Sequence, residues 1–308
     1  MTAKRKHLAK AVICFTIIRL CLLFLSCSSS EVILLSDTYW SSAELTRDVM
    51  DGVKKRFDEE KLSLKKITVI DPFDLEIVIE KISSLNPRVA ILSPLLTQHS
   101  VPVAQRFPTT RIIGLATARD SSMDALRNLS MLSSDRRNAY AQAGGFCRRF
   151  LEIDDNPRAM VVALFYSGGN VKVSERQAFL DGFGTSTQNE RLIVESYPRL
   201  DSLRDVNIML SELSDRDVSI FFISMSALNK EIITTIAAQF TSMVISEKFG
   251  GIVSFSDRIL ATIEEPWAEG VVALAAGTAQ TLTPNAVLMP GPALDDPKKD
   301  WISAPESR

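Results

Sequence analysis

The feature that most constrains this chain is a steady alternation of short apolar runs with longer stretches of helical period. Glu31 to Ser36, Leu64 to Val69, Val89 to Ser93 and Arg111 to Leu115 are runs of the kind that form strands buried on both faces. Between them apolar residues recur every third or fourth position: Leu45, Val49, Val53 and Phe57, then Leu75, Val78, Ile79 and Ile82, then a shorter helix holding Val103 and Ala104. Ser41 with Glu44 three places on has capping-box spacing and predicts that the first helix starts there. Leu129 to Leu132 predicts a further strand, and Ser134 to Leu151 a helix.

Pro157 restarts the cycle. Strands are expected at Ala159 to Tyr166, Leu192 to Tyr197, Val218 to Ile223 and Met243 to Ser246. Helices are expected at Ser174 to Phe183, along the stripe Leu203, Val206, Leu210 and Leu213, and at Ile232 to Ala238. Parallel neighbours need a crossover, and the crossover is right-handed, so the order predicts an α/β chain of two doubly wound parallel-sheet lobes. No residue-level repeat relates the halves; only the order of elements recurs. Beyond Gly250, Ile252 to Phe255 and Leu260 to Ile263 read as strands and Trp267 to Ala276 as a helix. Pro284, Pro290, Pro292 and Pro297 mark a tail expected to be loosely ordered at its end.

Ahead of the first strand lies a basic head, Lys4, Arg5, Lys6 and Lys10, and an apolar run from Ala11 to Leu25 broken by Arg19. This is the pattern of an export signal. The ending, Phe24, Leu25, Ser26 and Cys27, resembles a bacterial lipoprotein signal, in which a small residue precedes the cysteine that is lipidated. Phe24 stands where that pattern usually has leucine. An uncleaved anchor is the alternative, but the run after Arg19 is shorter than the roughly 20 residues that cross a bilayer.

Removing residues 1–26 changes what the composition means. Five basic residues and no acid leave with them, so 37 acidic residues face 30 basic ones, and nucleic-acid binding is disfavoured. Cys14 and Cys21 lie in the signal and Cys27 would carry lipid, leaving Cys147 without an intrachain partner. His99 is the one histidine left, expected at a loop or helix start, which argues against multi-histidine catalysis or metal sites. No Gly-x-x-x-x-Gly-Lys loop, Gly-x-Ser-x-Gly elbow or His-Glu-x-x-His motif occurs, so no enzyme activity, metal or cofactor is expected.

Four local patterns carry a family resemblance. Ala104 to Pro108 ahead of the strand at Arg111 is similar to an alanine, two residues, aromatic, proline step in the first lobe of the basic-membrane-protein-like lipoproteins, a branch of the type I periplasmic solute-binding superfamily. Ala143, Gly144, Gly145 and Phe146 resemble the glycine-containing helix that opens that branch's second lobe. Phe179 to Phe183, with Gly182, looks like its phenylalanine, glycine, aromatic helix motif. Leu260 to Ile263 followed by Glu265 and Pro266 resembles the hinge of sugar-binding relatives, which often have glutamine where Glu265 stands.

The resemblance implies two lobes joined by a multi-crossing hinge. Residues 27–131 plus 258–281 would form the first lobe and 132–257 plus 282–293 the second, with 294–308 a flexible tail. It also implies capture of a small polar ligand, a sugar or nucleoside, by lobe closure for an ABC importer, the protein being lipid-anchored outside the bacterial cell membrane through a palmitate-bearing Cys27. A membrane-anchored sensor or surface interaction lipoprotein is the alternative. No helix-turn-helix segment precedes the first strand, so the related repressors are not expected.

Ligands of doubly wound sheets sit beyond the carboxyl ends of the strands. That rule selects Asp37, Tyr39, Trp40, Ser93, Tyr166, Ser167, Gly168, Ser224, Ser246 and Glu247, and the hinge adds Glu265. Tyr39 and Trp40 would stack on a sugar ring or base, or else pack under the first helix. Asp37 would accept from ligand hydroxyls, or else cap a helix. Gly168 to Asn170 reads first as a turn, and Glu247 and Glu265 either bond a ligand or face water.

Overall fold

The computed structural model describes residues 31–116, 126–166, 170–184, 190–197, 203–225, 228–248, 252–277 and 282–303. The signal-like segment, Cys27, Ser167 and Gly168 lie outside them. The first lobe runs β1 (Val32–Asp37), α1 (Thr38–Glu44), α2 (Arg47–Glu59), β2 (Leu64–Val69), α3 (Leu75–Leu85), β3 (Val89–Leu92), α4 (Ser100–Arg106), β4 (Arg111–Ala116) and β5 (Leu129–Ser133). The second runs α5 (Arg137–Ile153), β6 (Met160–Tyr166), α6 (Asn170–Phe183), β7 (Leu192–Tyr197), α7 (Leu203–Glu212), β8 (Val218–Ser224), α8 (Asn229–Gln239), β9 (Met243–Glu247) and β10 (Ile259–Glu264). Then come α9 (Trp267–Ala276), β11 (Val287–Pro290) and α10 (Asp296–Ser303).

The first sheet has strand order β2-β1-β3-β4-β5, and all its pairings are parallel. The second has order β11-β10-β9-β8-β6-β7, parallel except where β11 adds antiparallel to the edge. Counted from the first strand of each lobe, the two orders match: the second strand lies on one side and the third, fourth and fifth on the other. Each sheet therefore has one place where consecutive connections leave in opposite directions, between β1 and β3 and between β6 and β8. A crevice opens at such a switch point.

Strand alternation divides each lobe into two cores. Val32, Leu34, Ile91 and Ile113 face α2 and α9, while Ile33, Leu35, Ala90, Leu92 and Ile112 face α3 and α4. In the second lobe Val161, Ala163, Phe165 and Phe222 face α5 and α6, and Val162, Leu164, Phe221 and Ile223 face α7 and α8. Each Val, Leu, Ile or Phe among these, fully buried, contributes about 1.5–3 kcal/mol against unfolding.

The chain passes between the lobes three times within the described residues: from β5 to α5, from β10 to α9, and from α9 to β11. The segment expected in the first lobe as 258–281 is divided by the second of these crossings. Its strand β10 pairs with β9 in the second sheet, whereas α9 packs Trp267, Val271 and Leu274 into the first lobe's core. The first and third crossings run side by side. Asp135 N–H donates to Pro284 O at 2.9 Å, and Ala286 N–H donates to Asp135 O at 2.8 Å.

Three local expectations are corrected. The first helix starts at Thr38, not at Ser41, because the Asp37 carboxylate accepts from Trp40 N–H at 2.8 Å and caps it earlier; the chain then breaks at Leu45 before α2. Ile252–Phe255 is a short helical turn, not a strand, and packs Ile252 and Phe255 on the second lobe's core. The segment expected as a flexible tail, 294–308, is helical and packed over its described part: α10 follows Leu294, and both Leu294 and Ile302 are buried, while residues 304–308 lie outside the described residues. Pro297 does not prevent this helix, since a first-turn N–H has no intrahelical acceptor to lose. His99 ends a short turn ahead of α4, its Nε2 2.9 Å from Pro72 O.

Both glycine motifs lie at one contact, the crossing of α5 and α6. A Cβ on Gly144 would stand 2.1 Å from the Phe179 carbonyl oxygen, and one on Gly182 would stand 1.9 Å from that of Ala141. Backbone is what it would meet, so no rotamer change relieves the clash. Gly182→Ala is expected to lower unfolding free energy by at least about 2 kcal/mol, read as a fall in urea midpoint at constant slope. A change within about 0.5 kcal/mol would contradict this packing.

Candidate functional site

The carboxyl ends of β8 and β9 meet the start of α5 in a buried polar cluster. Arg136, just ahead of α5, extends its guanidinium to Glu247 at the end of β9, with Nη1 2.6 Å from Oε1. Its Nη2 donates to Glu265, between β10 and α9. Glu175 of α6 lies 4.0 Å from Nε. One turn along α5 from Arg136, on the same face, Tyr140 donates its hydroxyl proton to Glu247 Oε1 at 2.7 Å. Ser224 closes a triangle, with Oγ 2.6 Å from the Tyr140 hydroxyl oxygen and 3.2 Å from Glu247 Oε1. Asn229 reaches Glu247 Oε2 through Nδ2 at 3.4 Å and accepts from Met225 N–H through Oδ1 at 2.8 Å.

Electrostatics follow from burial. Arg136, Glu175 and Glu247 are 8 %, 1 % and 7 % exposed, so two carboxylates and one guanidinium share a site largely closed to water, with the Glu265 side chain, 26 % exposed, at its edge. Burial opposes the charge on Arg136, but Glu265 and Glu247 outweigh it, with Tyr140 and Glu175 behind them, and raise its pKa further. Burial, then Glu247 and Glu175, raise the Tyr140 pKa, which keeps its hydroxyl a proton donor. Taking charge out of water costs several kcal/mol per ion, so the cluster holds only while its partners are complete.

The first lobe's switch point holds a smaller pair. Ser93, after β3, donates to Asp37 Oδ2 at 2.6 Å and accepts from Asp37 N–H at 3.1 Å. Asp37 Oδ1 is the cap of α1, so both oxygens are engaged within the lobe. Tyr39 lies on α1, and burial raises its pKa most, followed by the charges of Glu247 of the second lobe and Glu44 of the first.

The structure thus brings together Asp37 with Ser93, and Ser224 with Glu247 and, through Arg136, Glu265. Trp40 is 8 % exposed and packs on Trp267, ring centroids 4.9 Å apart at 60°. Tyr166, like Tyr197 and Leu203, is partly buried and packs against the second lobe's core on its α7–α8 side. Ser246 alternates away from Glu247 on its strand, and its Oγ is buried with no hydrogen-bond partner among the described residues. Glu247 does not face water.

Arg136, Tyr140, Glu175 and Asn229 escaped the sequence reading, which sampled only strand ends and the hinge. One signal existed: Arg136 and Tyr140 are four apart at the start of a helix, the spacing that sets two polar side chains on one face. Among the described residues no group of three His, Cys, Asp or Glu is arranged to hold a metal ion, and no helix is long and apolar enough to cross a membrane. Cys147 is free and buried, and burial pushes its thiol pKa up.

No family model and no curated protein matches the sequence. Solved structures do match in shape. A transcriptional activator of the comK gene from Bacillus halodurans superposes with TM-score 0.62 at 12 % identity, over 88 % of this chain and 94 % of its own. An ABC transporter solute-binding protein from Aeropyrum pernix K1 gives 0.58 at 13 %, over 83 % and 76 %. A carbohydrate transporter solute-binding protein from Agrobacterium radiobacter, in complex with D-arabinose, gives 0.55 at 15 %, over 89 % and 99 %. At such identities the likeness shows the fold: two α/β lobes of the type I periplasmic-binding-protein kind, used by solute-binding proteins and regulators alike.

Removing the central cation should be costly. Arg136→Met leaves buried carboxylates without their counter-charge and is expected to lower stability by about 3–5 kcal/mol in denaturant unfolding. Tyr140→Phe, which removes one donor from Glu247, should cost about 1–3 kcal/mol. Equal losses from the two variants would contradict Arg136 as the centre of the cluster.

Proposed function

We propose that this protein captures a small polar solute, a sugar or nucleoside, between its two lobes and delivers it to an ABC importer. The observation that carries the reading is the placement of polar side chains at both switch points. Asp37 and Ser93 stand at one and Ser224 with Glu247 near the other, and the charge of Glu247 raises the pKa of Tyr39 on the first lobe's α1. A solute touching both lobes binds the closed form better than the open one, and that difference in affinity drives closure. Ser167 and Gly168, next in sequence after β6 and outside the described residues, belong to the proposed binding set, as do Tyr166, Ser246 and Glu265.

The N-terminal segment supports an anchored form. Residues 1–26 would be removed and Cys27 lipidated, holding the protein outside the bacterial cell membrane beside a permease. A second reading, a ligand sensor without a transport role, is favoured by the shape match to a transcriptional activator.

Titration calorimetry against sugars, nucleosides and related metabolites is expected to give saturable one-to-one binding by one class, with a smaller radius of gyration when the solute is bound. No binding across the panel would overturn capture. Mass spectrometry of protein recovered from bacterial membranes should find an N-terminal fragment beginning at a diacylated Cys27. An unmodified Cys27 would remove the anchor.

A further inference from the structure

Among the described residues, the lobes also meet through charge at Glu44 and Lys248, outside the Arg136 cluster. Glu44, the last residue of α1, belongs to the first lobe; Lys248, the residue after β9, belongs to the second. Lys248 Nζ lies 3.4 Å from Glu44 Oε2 and 3.5 Å from Glu264 Oε2. The side chains of Glu44 and Lys248 are only 14 % and 21 % exposed, and that of Glu264 39 %. Lys248 is fixed at its root, because its N–H donates to Ile263 O across to β10 at 3.2 Å.

Glu44 has no easy place in this interface. Burial raises its pKa, Lys248 opposes that rise, and Glu265 and Glu264 add to it. Without the ammonium, a carboxylate drawn out of water would face two more carboxylates. When the lobes part, Glu44 returns to water and the conflict disappears.

We propose that Lys248 is a charge gate on lobe closure, the counter-charge that lets Glu44 of the first lobe enter the interface beside Glu264. The pair permits closure more than it drives it. A partly buried ion pair gives back little beyond its desolvation cost, whereas loss of one partner leaves the other uncompensated. Lys248→Met should therefore open the lobes, and neutralising Glu44 as well should let them close again. This deepens the two-lobe capture reading and rests on it.

The test is small-angle scattering of the full chain without solute, with circular dichroism confirming that each variant is folded. Because no solute is present, a failure to find one in calorimetry leaves the comparison intact. Lys248→Met is expected to raise the open-to-closed ratio about tenfold and enlarge the radius of gyration. Lys248→Arg, which keeps the charge, should match the natural protein, and so should the double variant Glu44→Gln with Lys248→Met. Should Lys248→Met itself fail to fold, the other two variants still decide. A natural profile for Lys248→Met, expansion of Lys248→Arg, or a double variant that stays open would each overturn the gate.

Discussion

The Arg136 guanidinium is the interaction on which the rest of this structure leans. It sits on the first crossing between the lobes and binds Glu265 on the second, while its neighbour Asp135 is hydrogen-bonded to the third. One side chain therefore ties the hinge to the cleft, because the same guanidinium also holds Glu247 at the end of β9. A buried cation is tolerated only where carboxylates surround it, and the surrounding carboxylates are tolerated only because of the cation. This mutual dependence fixes the crossings more firmly than apolar packing alone, which has no preferred direction.

Around that centre the fold repeats a single solution. Each lobe wraps a parallel sheet of the same strand order, and each places polar groups at the crevice where the order reverses. The two crevices differ in character. In the first lobe, Asp37 and Ser93 satisfy each other and Asp37 caps α1, giving a compact hydrogen-bonded pair. In the second, charge is concentrated, and Tyr39, Glu44 and Lys248 are where the two environments meet.

Much of the architecture was legible in the sequence because doubly buried strands and helical stripes leave different periods. The glycine motifs were legible as a resemblance, and the α5–α6 crossing explains them physically, since a carbonyl oxygen stands where each Cβ would be. The first helix was misplaced because Ser41 and Glu44 imitate a capping box, while Asp37, a stronger cap at a strand end, starts the helix sooner. The site was only half legible. Rules about strand ends find Ser224 and Glu247, but the partners that define their chemistry come from helices. Nothing in a linear pattern marks Glu175 as the acid that faces Arg136. Trp40 illustrates the converse: its aromatic face suggested a ligand, and it is taken up by Trp267.

The central claim is that a solute sits between the lobes and engages both. Hydrogen exchange of the protein with and without a solute found to bind tests it most directly. The account predicts that protection rises together in residues 37–44 of the first lobe and in residues 224–225 and 243–248 of the second. Protection confined to one lobe, or found only on the outer helices, would contradict it.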